Sequence, residues 1–300
     1  MAPILSLHNI SKSYGRIHAL KQVSFDVPEG SVFGILGPNG SGKTTLLGVV
    51  MNVLRSNAGN YNWFGKPPSE LQRRDIGTLL ETPNFYHYLS ARRNLEIAAR
   101  IKHKSGEDID RILKTLRLYE RRDSKFQTFS LGMKQRLAIA SCLLGDPSVL
   151  VFDEPTNGLD PSGIAEIRQL IIDLAREGKT IILASHLLAE VEKVCTHVAI
   201  LQQGTLIQSG EVKSVLSQEE WFEVGAADME KLNEVLNGLP GLKKTVKSGN
   251  HFQVYFGQSL PDADWLNRYC FNNDVVLNYL QVRKKSLESA FIELTNNASN

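Results

Sequence analysis

Eight consecutive residues, Gly37-Pro38-Asn39-Gly40-Ser41-Gly42-Lys43-Thr44, have the types and spacing needed to hold a phosphate chain. The glycines let the backbone curl so that successive N–H groups face inward, and a helix starting just afterwards adds the partial positive charge of its N-terminus. On this pattern, a P-loop, the Lys43 ammonium reaches the β- and γ-phosphates of a nucleotide and the Thr44 hydroxyl binds Mg²⁺. Thr45 continues the stretch and is taken with it as nucleotide-binding. A second candidate is the pair Asp153-Glu154, which ends the apolar run Ser148 to Phe152. Acids at the C-terminal end of a buried strand stand where parallel α/β sheets bind their ligands. Asp153 is then placed to hold Mg²⁺, directly or through water, and Glu154 to orient or deprotonate an attacking water. Taken alone, Asp153-Glu154-Pro155 could equally do no more than open a loop.

The surrounding pattern supplies elements that would position these groups. Val32 to Leu36 is short and continuously apolar, as a buried parallel strand is, and it runs straight into the glycine-rich stretch. The segment after Thr44 reads as a helix. Val23, Phe25 and Val27 alternate ahead of the turn Pro28-Glu29-Gly30. Residues from about 85 to 145 are helical in pattern, with Ser90 as a cap and Ile109, Ile112, Leu113 and Leu116 at helical spacing. This block reads as a helical lobe inserted into an α/β core. Strands return at 148–152 and 180–185, separated by a helical stretch, which argues for a right-handed βαβ crossover. Beyond Gln218 the order becomes strand (221–225), helix (227–238), a strand pair (243–247 and 251–256) across Ser248-Gly249-Asn250, a helix near Asp262–Cys270 and a strand at 275–282. That β-α-β-β-α-β order is the split βαβ of ferredoxin-like domains. A last helix carries Leu287, Phe291 and Leu294 on one face.

Bulk properties narrow the classes. The 300 residues suffice for one large α/β domain and a smaller one, and the 42% hydrophobic and 22% charged content is that of an ordinary globular protein. A net charge of +2 gives no strong field toward nucleic acid or an acidic membrane. The pairs Arg73-Arg74, Arg92-Arg93 and Arg121-Arg122 read as solvated faces. Cys142, Cys195 and Cys270 have no metal-ligand spacing, which fits a reduced cytosolic setting. The start lacks the features of a secretory signal, and no run of about 18 apolar residues spans a bilayer. Work at a membrane would therefore require a partner that holds the chain there.

With these two sites in place, the first 215 residues or so resemble an ABC-type nucleotide-binding domain. Tyr14, in the stretch Ser11 to Gly15, matches the aromatic residue that stacks on adenine in that family. Ser130-Leu131-Gly132-Met133-Lys134-Gln135-Arg136 matches the signature motif, Gly158-Leu159-Asp160-Pro161 the D-loop, and Ser185-His186 the switch histidine. The resemblance implies an α/β fold: a P-loop NTPase core of ABC type, with an N-terminal antiparallel β subdomain and an inserted helical subdomain (about 85–145). That domain, 1–220, is followed by a small α+β, ferredoxin-like domain at 221–300. It further implies ATP and Mg²⁺ as ligands, with Lys43, Glu154 and His186 catalytic and Ser130 and Gly132 covering the γ-phosphate held by the opposite subunit. ATP would then bond two subunits placed head to tail, as a homodimer or beside a second ATPase subunit.

Two positions depart from the family pattern. Met133 stands where a glutamine would contact the other subunit, and Glu81 stands for the Q-loop glutamine, where a carboxylate can still reach Mg²⁺. Both departures resemble the bacitracin- and lantibiotic-resistance type of exporter. The resemblance thus implies an ATPase subunit at the cytoplasmic face of the membrane, powering a separate transmembrane permease, more in the direction of export than import. Phe85, Tyr86, Tyr88 and Leu89 are candidate permease contacts, or else ordinary packing of the lobe. A soluble ABC-type ATPase acting on ribosomes or DNA is the competing reading. It usually carries two cassettes or a long coiled-coil insertion, neither of which is present, and no nucleic-acid partner is expected. A P-loop kinase or GTPase would have no use for the signature, D-loop and switch residues.

Overall fold

Alternating apolar residues at the N-terminus build a long antiparallel hairpin. In the computed structural model, which describes residues 3–80, 85–215, 220–257, 260–284, 287–288 and 291, β1 (Pro3–Tyr14) pairs with β2 (Ile17–Pro28) from Pro3↔Pro28 to Tyr14↔Ile17. Next come β3 (Val32–Leu36), α1 (Lys43–Val50) and β4 (Ala58–Trp63), the last pairing antiparallel with β1 to complete a sheet of order β2-β1-β4. The short α2 (Glu70–Arg73) leads to β5 (Ile76–Leu79). The helical lobe follows, with α3 (Ala91–Ile101), α4 (Ile109–Thr115) and α5 (Leu131–Cys142). Then β6 (Val149–Asp153), α6 (Pro161–Arg176), β7 (Thr180–Ser185), α7 (Leu188–Val194), β8 (His197–Gln202), β9 (Thr205–Glu211) and α8 (Val212–Val215) close this unit.

The second sheet runs β5-β6-β7-β3-β8-β9, parallel except for β9, which pairs antiparallel with β8. Every residue of β3, β6 and β7 is buried, which is why these strands read as unbroken apolar runs. Helix α1 contacts β2 of the antiparallel sheet and β6 and β7 of the parallel one. Its second half is apolar on every side, and Leu46, Leu47, Val49 and Val50 are all buried between the two sheets. The fully buried Trp63 fixes its end by donating its indole N–H to the Val50 carbonyl at 2.9 Å.

In the lobe, Ser90 caps α3 by accepting from Arg93 N–H at 3.3 Å. The buried Asn94 organises the segment before it: its Oδ1 accepts from Tyr86 N–H (2.7 Å) and its amide donates to the carbonyls of Tyr86 (3.1 Å) and Ser90 (3.0 Å). A short polar side chain thereby replaces the missing backbone ladder of that loop.

The chain divides into two compact units near residue 215, and Phe291 groups with the first. The second contains β10 (Glu220–Ala226), α9 (Met229–Asn237), β11 (Leu242–Ser248), β12 (His251–Phe256), α10 (Ala263–Asn272) and β13 (Leu277–Lys284). They form an antiparallel sheet of order β11-β12-β10-β13, the ferredoxin-like arrangement. Its core gathers Phe222, Val224, Phe252 and Val254 from the sheet with Leu232, Leu236 and Leu266 from the helices. The last strand begins two residues later than its sequence suggests. Val275 is apolar and buried but donates its N–H to Cys270 O at 3.0 Å, so it serves the end of α10 instead of the sheet. Of the final helix, Leu287, Glu288 and Phe291 are helical, while Leu294 lies outside the described residues.

Candidate active site

The glycine-rich loop is shaped by backbone that only glycine adopts easily. Gly37, Gly40 and Gly42 have φ of 158°, 80° and 107°. A Cβ on Gly42 would stand 2.5 Å from the Ala19 carbonyl oxygen, and one on Gly37 would stand 2.3 Å from Leu201 O. The loop thus passes so close to β2 and the β8 end that no side chain fits on its inner side. Two further bonds hold it there: Gly204 N–H donates to Ser41 O (3.0 Å) and Lys21 N–H to Gly204 O (2.7 Å). Gly42 is also the N-cap of α1, so the helix dipole begins at the loop.

Lys43, 6% exposed, opens α1 and sends its ammonium back over the loop. Nζ donates to Gly37 O at 2.8 Å and Pro38 O at 3.3 Å, and stands 3.4 Å from Glu154 Oε1. The other carboxylate oxygen of Glu154 lies 2.9 Å from His186 Nδ1. Three residues from three different strand ends therefore form one line, Lys43–Glu154–His186. This follows from the strand order: β7, which leads to His186, lies between β3, which leads to the loop, and β6, which ends at Asp153. All three are parallel, so their C-terminal ends share one edge of the sheet.

Asp153 is the last residue of β6, paired with Ala184 and buried; the strand is thus shifted one residue later than the apolar run implies. Glu154 then leaves the strand with φ of 48° while its N–H still bonds Ala184 O at 3.0 Å. A non-glycine residue in the left-handed region costs about 1 kcal/mol or more, and such cost collects at functional sites. Here it falls on the residue that contacts both Lys43 and His186.

An open cleft of about 430 Å³ surrounds these groups. Asn39, Gly40, Gly42, Lys43, Thr44, Thr45 and Glu154 line it, and so do Ile17 to Ala19, Lys21 and Gln203. Sequence reasoning did not find the second set, because its members come from β2 and the β8–β9 turn and carry no motif. Tyr14 is 46% exposed at the tip of the β1–β2 hairpin, opposite the cleft residue Ile17. The residues present fit a nucleotide: the loop lines the cleft with glycine backbone, a Cβ on Gly40 would meet nothing within 4 Å, and Ser41 Oγ is buried there with no hydrogen-bond partner among the described residues. Thr44 hydroxyl and the Asp153 carboxylate are hard oxygen donors of the kind Mg²⁺ prefers. Glu81 lies outside the described residues.

Ser130 and Gly132 are not lining residues of this cleft. They sit at the start of α5 on the lobe, where Ser130 is the N-cap and its Oγ accepts from Met133 N–H at 3.3 Å. Ser130 is exposed, and a Cβ on Gly132 would meet nothing within 4 Å. Asp160 caps α6 by accepting from Gly163 N–H at 3.0 Å, with Pro161 at the first helical position. Of the aromatic segment before α3, Phe85 packs edge-on against Phe126 and Leu89 is partly buried, whereas Tyr86 and Tyr88 are 49% and 66% exposed.

Comparison with known proteins places this geometry. The family described as "ABC transporter" matches residues 20–157. The chain is 36% identical to the uncharacterized ABC transporter ATP-binding protein YhcH of Bacillus subtilis (strain 168), over 98% of this chain and 97% of the relative. It is 41% identical to the bacitracin transport ATP-binding protein BcrA of Bacillus licheniformis, over 69% of this chain and 70% of that protein. Among solved structures, a dimeric ATP-binding cassette in a post-hydrolysis state bound to ADP and Pi superposes with a TM-score of 0.63 at 27% identity, covering 69% of this chain and 98% of that one.

Proposed function

The chain belongs to the family of ABC transporter ATP-binding subunits and is an ATPase of that family; on this premise we propose that Lys43, Glu154 and His186 form its hydrolytic centre. The observation that carries the reading is the continuous line of contacts from Lys43 Nζ through both Glu154 oxygens to His186 Nδ1. Lys43 pairs with the β- and γ-phosphates of ATP, while the loop N–H groups and the α1 N-terminus share their charge. Glu154 orients the attacking water and takes its proton, and His186 fixes the carboxylate on its far side. Gly37 to Thr45 hold the triphosphate, and Tyr14 stacks on the adenine from the hairpin tip. Thr44 and Asp153, with Glu81, would hold Mg²⁺, which when bound offsets the phosphate charge.

Ser130 and Gly132 complete the site of a second subunit, because the α5 N-terminus is another anion-binding helix start and does not line its own P-loop cleft. ATP then joins two copies, or one copy and a second ATPase subunit. Among the described residues no helix is long and apolar enough to cross a membrane. The membrane step therefore falls to a separate permease, met at the cytoplasmic face by the exposed Tyr86 and Tyr88. The bacitracin transport relative and the Glu81 and Met133 departures favour export of a peptide-like cargo.

Steady-state ATPase and nucleotide-binding measurements on two variants test the centre. Glu154→Gln keeps ATP binding and lowers turnover by about 10²–10⁴-fold, the usual contribution of a general base. Lys43→Ala abolishes tight ATP binding. Normal turnover in either variant would remove that residue from the mechanism.

A further inference from the structure

The signature segment, proposed to act on the partner's ATP, and the D-loop, Gly158 to Pro161, lead into two different helices, α5 capped by Ser130 and α6 capped by Asp160. One helix belongs to the inserted lobe and the other to the α/β core, so nothing in the chain's connectivity fixes their ends relative to each other. We propose that Arg136 and Glu166 form a clamp that does so, making the signature segment and the D-loop one preassembled half-site for the opposite subunit. This inference rests on the shared-site reading above.

Three observations carry it. Arg136 and Glu166 each lie six residues beyond the N-cap of their helix, and Arg136 Nη1 stands 3.7 Å from Glu166 Oε2. The same Nη1 donates to Leu116 O, at the end of α4, at 3.5 Å, so one guanidinium touches α4, α5 and α6 together. Arg136 is largely buried, and its Nε has no hydrogen-bond partner among the described residues. Near the N-terminal ends, Leu131 of α5 lies beside Gly158, two residues before the α6 N-cap: its Cδ2 is 3.4 Å from where a Cβ on Gly158 would stand. The clamp thus joins, six residues beyond their N-caps, two helices whose starts already lie side by side. A crevice of about 80 Å³ bounded by Arg117, Arg136, Glu166 and Asp173 marks the seam. Neither Arg136 nor Glu166 lines the P-loop cleft, so they are positioning residues for a trans site, not catalytic ones.

The test separates the two halves of the shared site. In the Glu154→Gln chain, ATP-driven dimer formation is followed by light scattering, and cis nucleotide affinity is read separately with ADP. Adding Glu166→Gln is expected to weaken ATP-driven dimerisation tenfold or more while ADP affinity stays within twofold. Adding Arg136→Gln as well is expected to cost less than the two single substitutions summed, because the two side chains share one contact. Dimerisation within twofold of the parent overturns the clamp, and so does a parallel fall in ADP affinity, which would signal general loss of structure. A parent that stays monomeric with ATP overturns the shared-site reading and the clamp with it. A parent that dimerises alongside equally competent variants overturns the clamp alone.

Discussion

Replacing Gly132 with alanine should raise the stability of the protein and lower its activity. Gly132 is the second helical residue of α5, has no positive φ, and would meet nothing within 4 Å on gaining a Cβ. Alanine is better than glycine by about 1 kcal/mol in a helix interior and less in the first turn, so a gain of about 0.5 kcal/mol is reasonable. For a domain of this size, about 2–4 °C in Tm accompanies each kcal/mol, which predicts a rise of about 1–2 °C. The same methyl group projects from the helix start that is proposed to approach the partner's γ-phosphate. Losing one hydrogen bond to a charged group there costs about 1.5–3 kcal/mol, or about 10–100-fold in turnover. Differential scanning calorimetry and a steady-state ATPase assay on the same preparation read both effects. A drop in Tm of several degrees would show that the space beside Gly132 is not open. Unchanged turnover would show that this helix end does not serve the phosphate.

Two further outcomes follow from the buried and paired groups. Burial pushes the Cys142 thiol up to about 11 and raises Cys195 and Cys270 as well. Iodoacetamide near neutral pH should therefore leave native protein unlabelled, reacting about 10²-fold or more slowly than with a free cysteine, and add three groups after denaturation, counted by mass spectrometry. Hydrogen bonding from Lys179 (2.7 Å) holds the Asp146 carboxyl below its ordinary range. Because the folded-state value is the lower one, the pair stabilises the fold above the ordinary carboxylate pKa and loses that contribution as pH falls through the lowered value. Asp146 is mostly exposed, so Asp146→Asn should cost less than about 1 kcal/mol near pH 7 and nothing near pH 2 in urea titrations. A cost that grows toward acid would contradict the assigned sign.

Much of this molecule is legible without coordinates because its local chemistry is unusually constrained. A loop that wraps phosphate must be rich in glycine, so Gly37 to Thr44 declares itself. Strands buried on both faces must be apolar throughout, so β3 and β7 appear at their observed bounds, 32–36 and 180–185. The ferredoxin-like order of the second unit is likewise readable from strand and helix periodicity. Where an apolar residue serves a turn, as Val275 does, the same signal misplaces a strand by two residues.

Tertiary structure decided what no spacing encodes. That Lys43 meets Glu154, and Glu154 meets His186, depends on the strand order β6-β7-β3, and sequence fixes which residues end strands but not which strands are neighbours. The left-handed turn at Glu154 is invisible beforehand, because glutamate carries no preference for that conformation and the surrounding β6–β7 ladder imposes it. Ile17 to Ala19, Lys21 and Gln203 join the cleft only because β2 and the β8–β9 turn fold over the P-loop. The same holds for Arg136 and Glu166, thirty residues apart and on different subdomains. Motifs are written where one short segment must do all the work, and contacts between segments are written only in the packing.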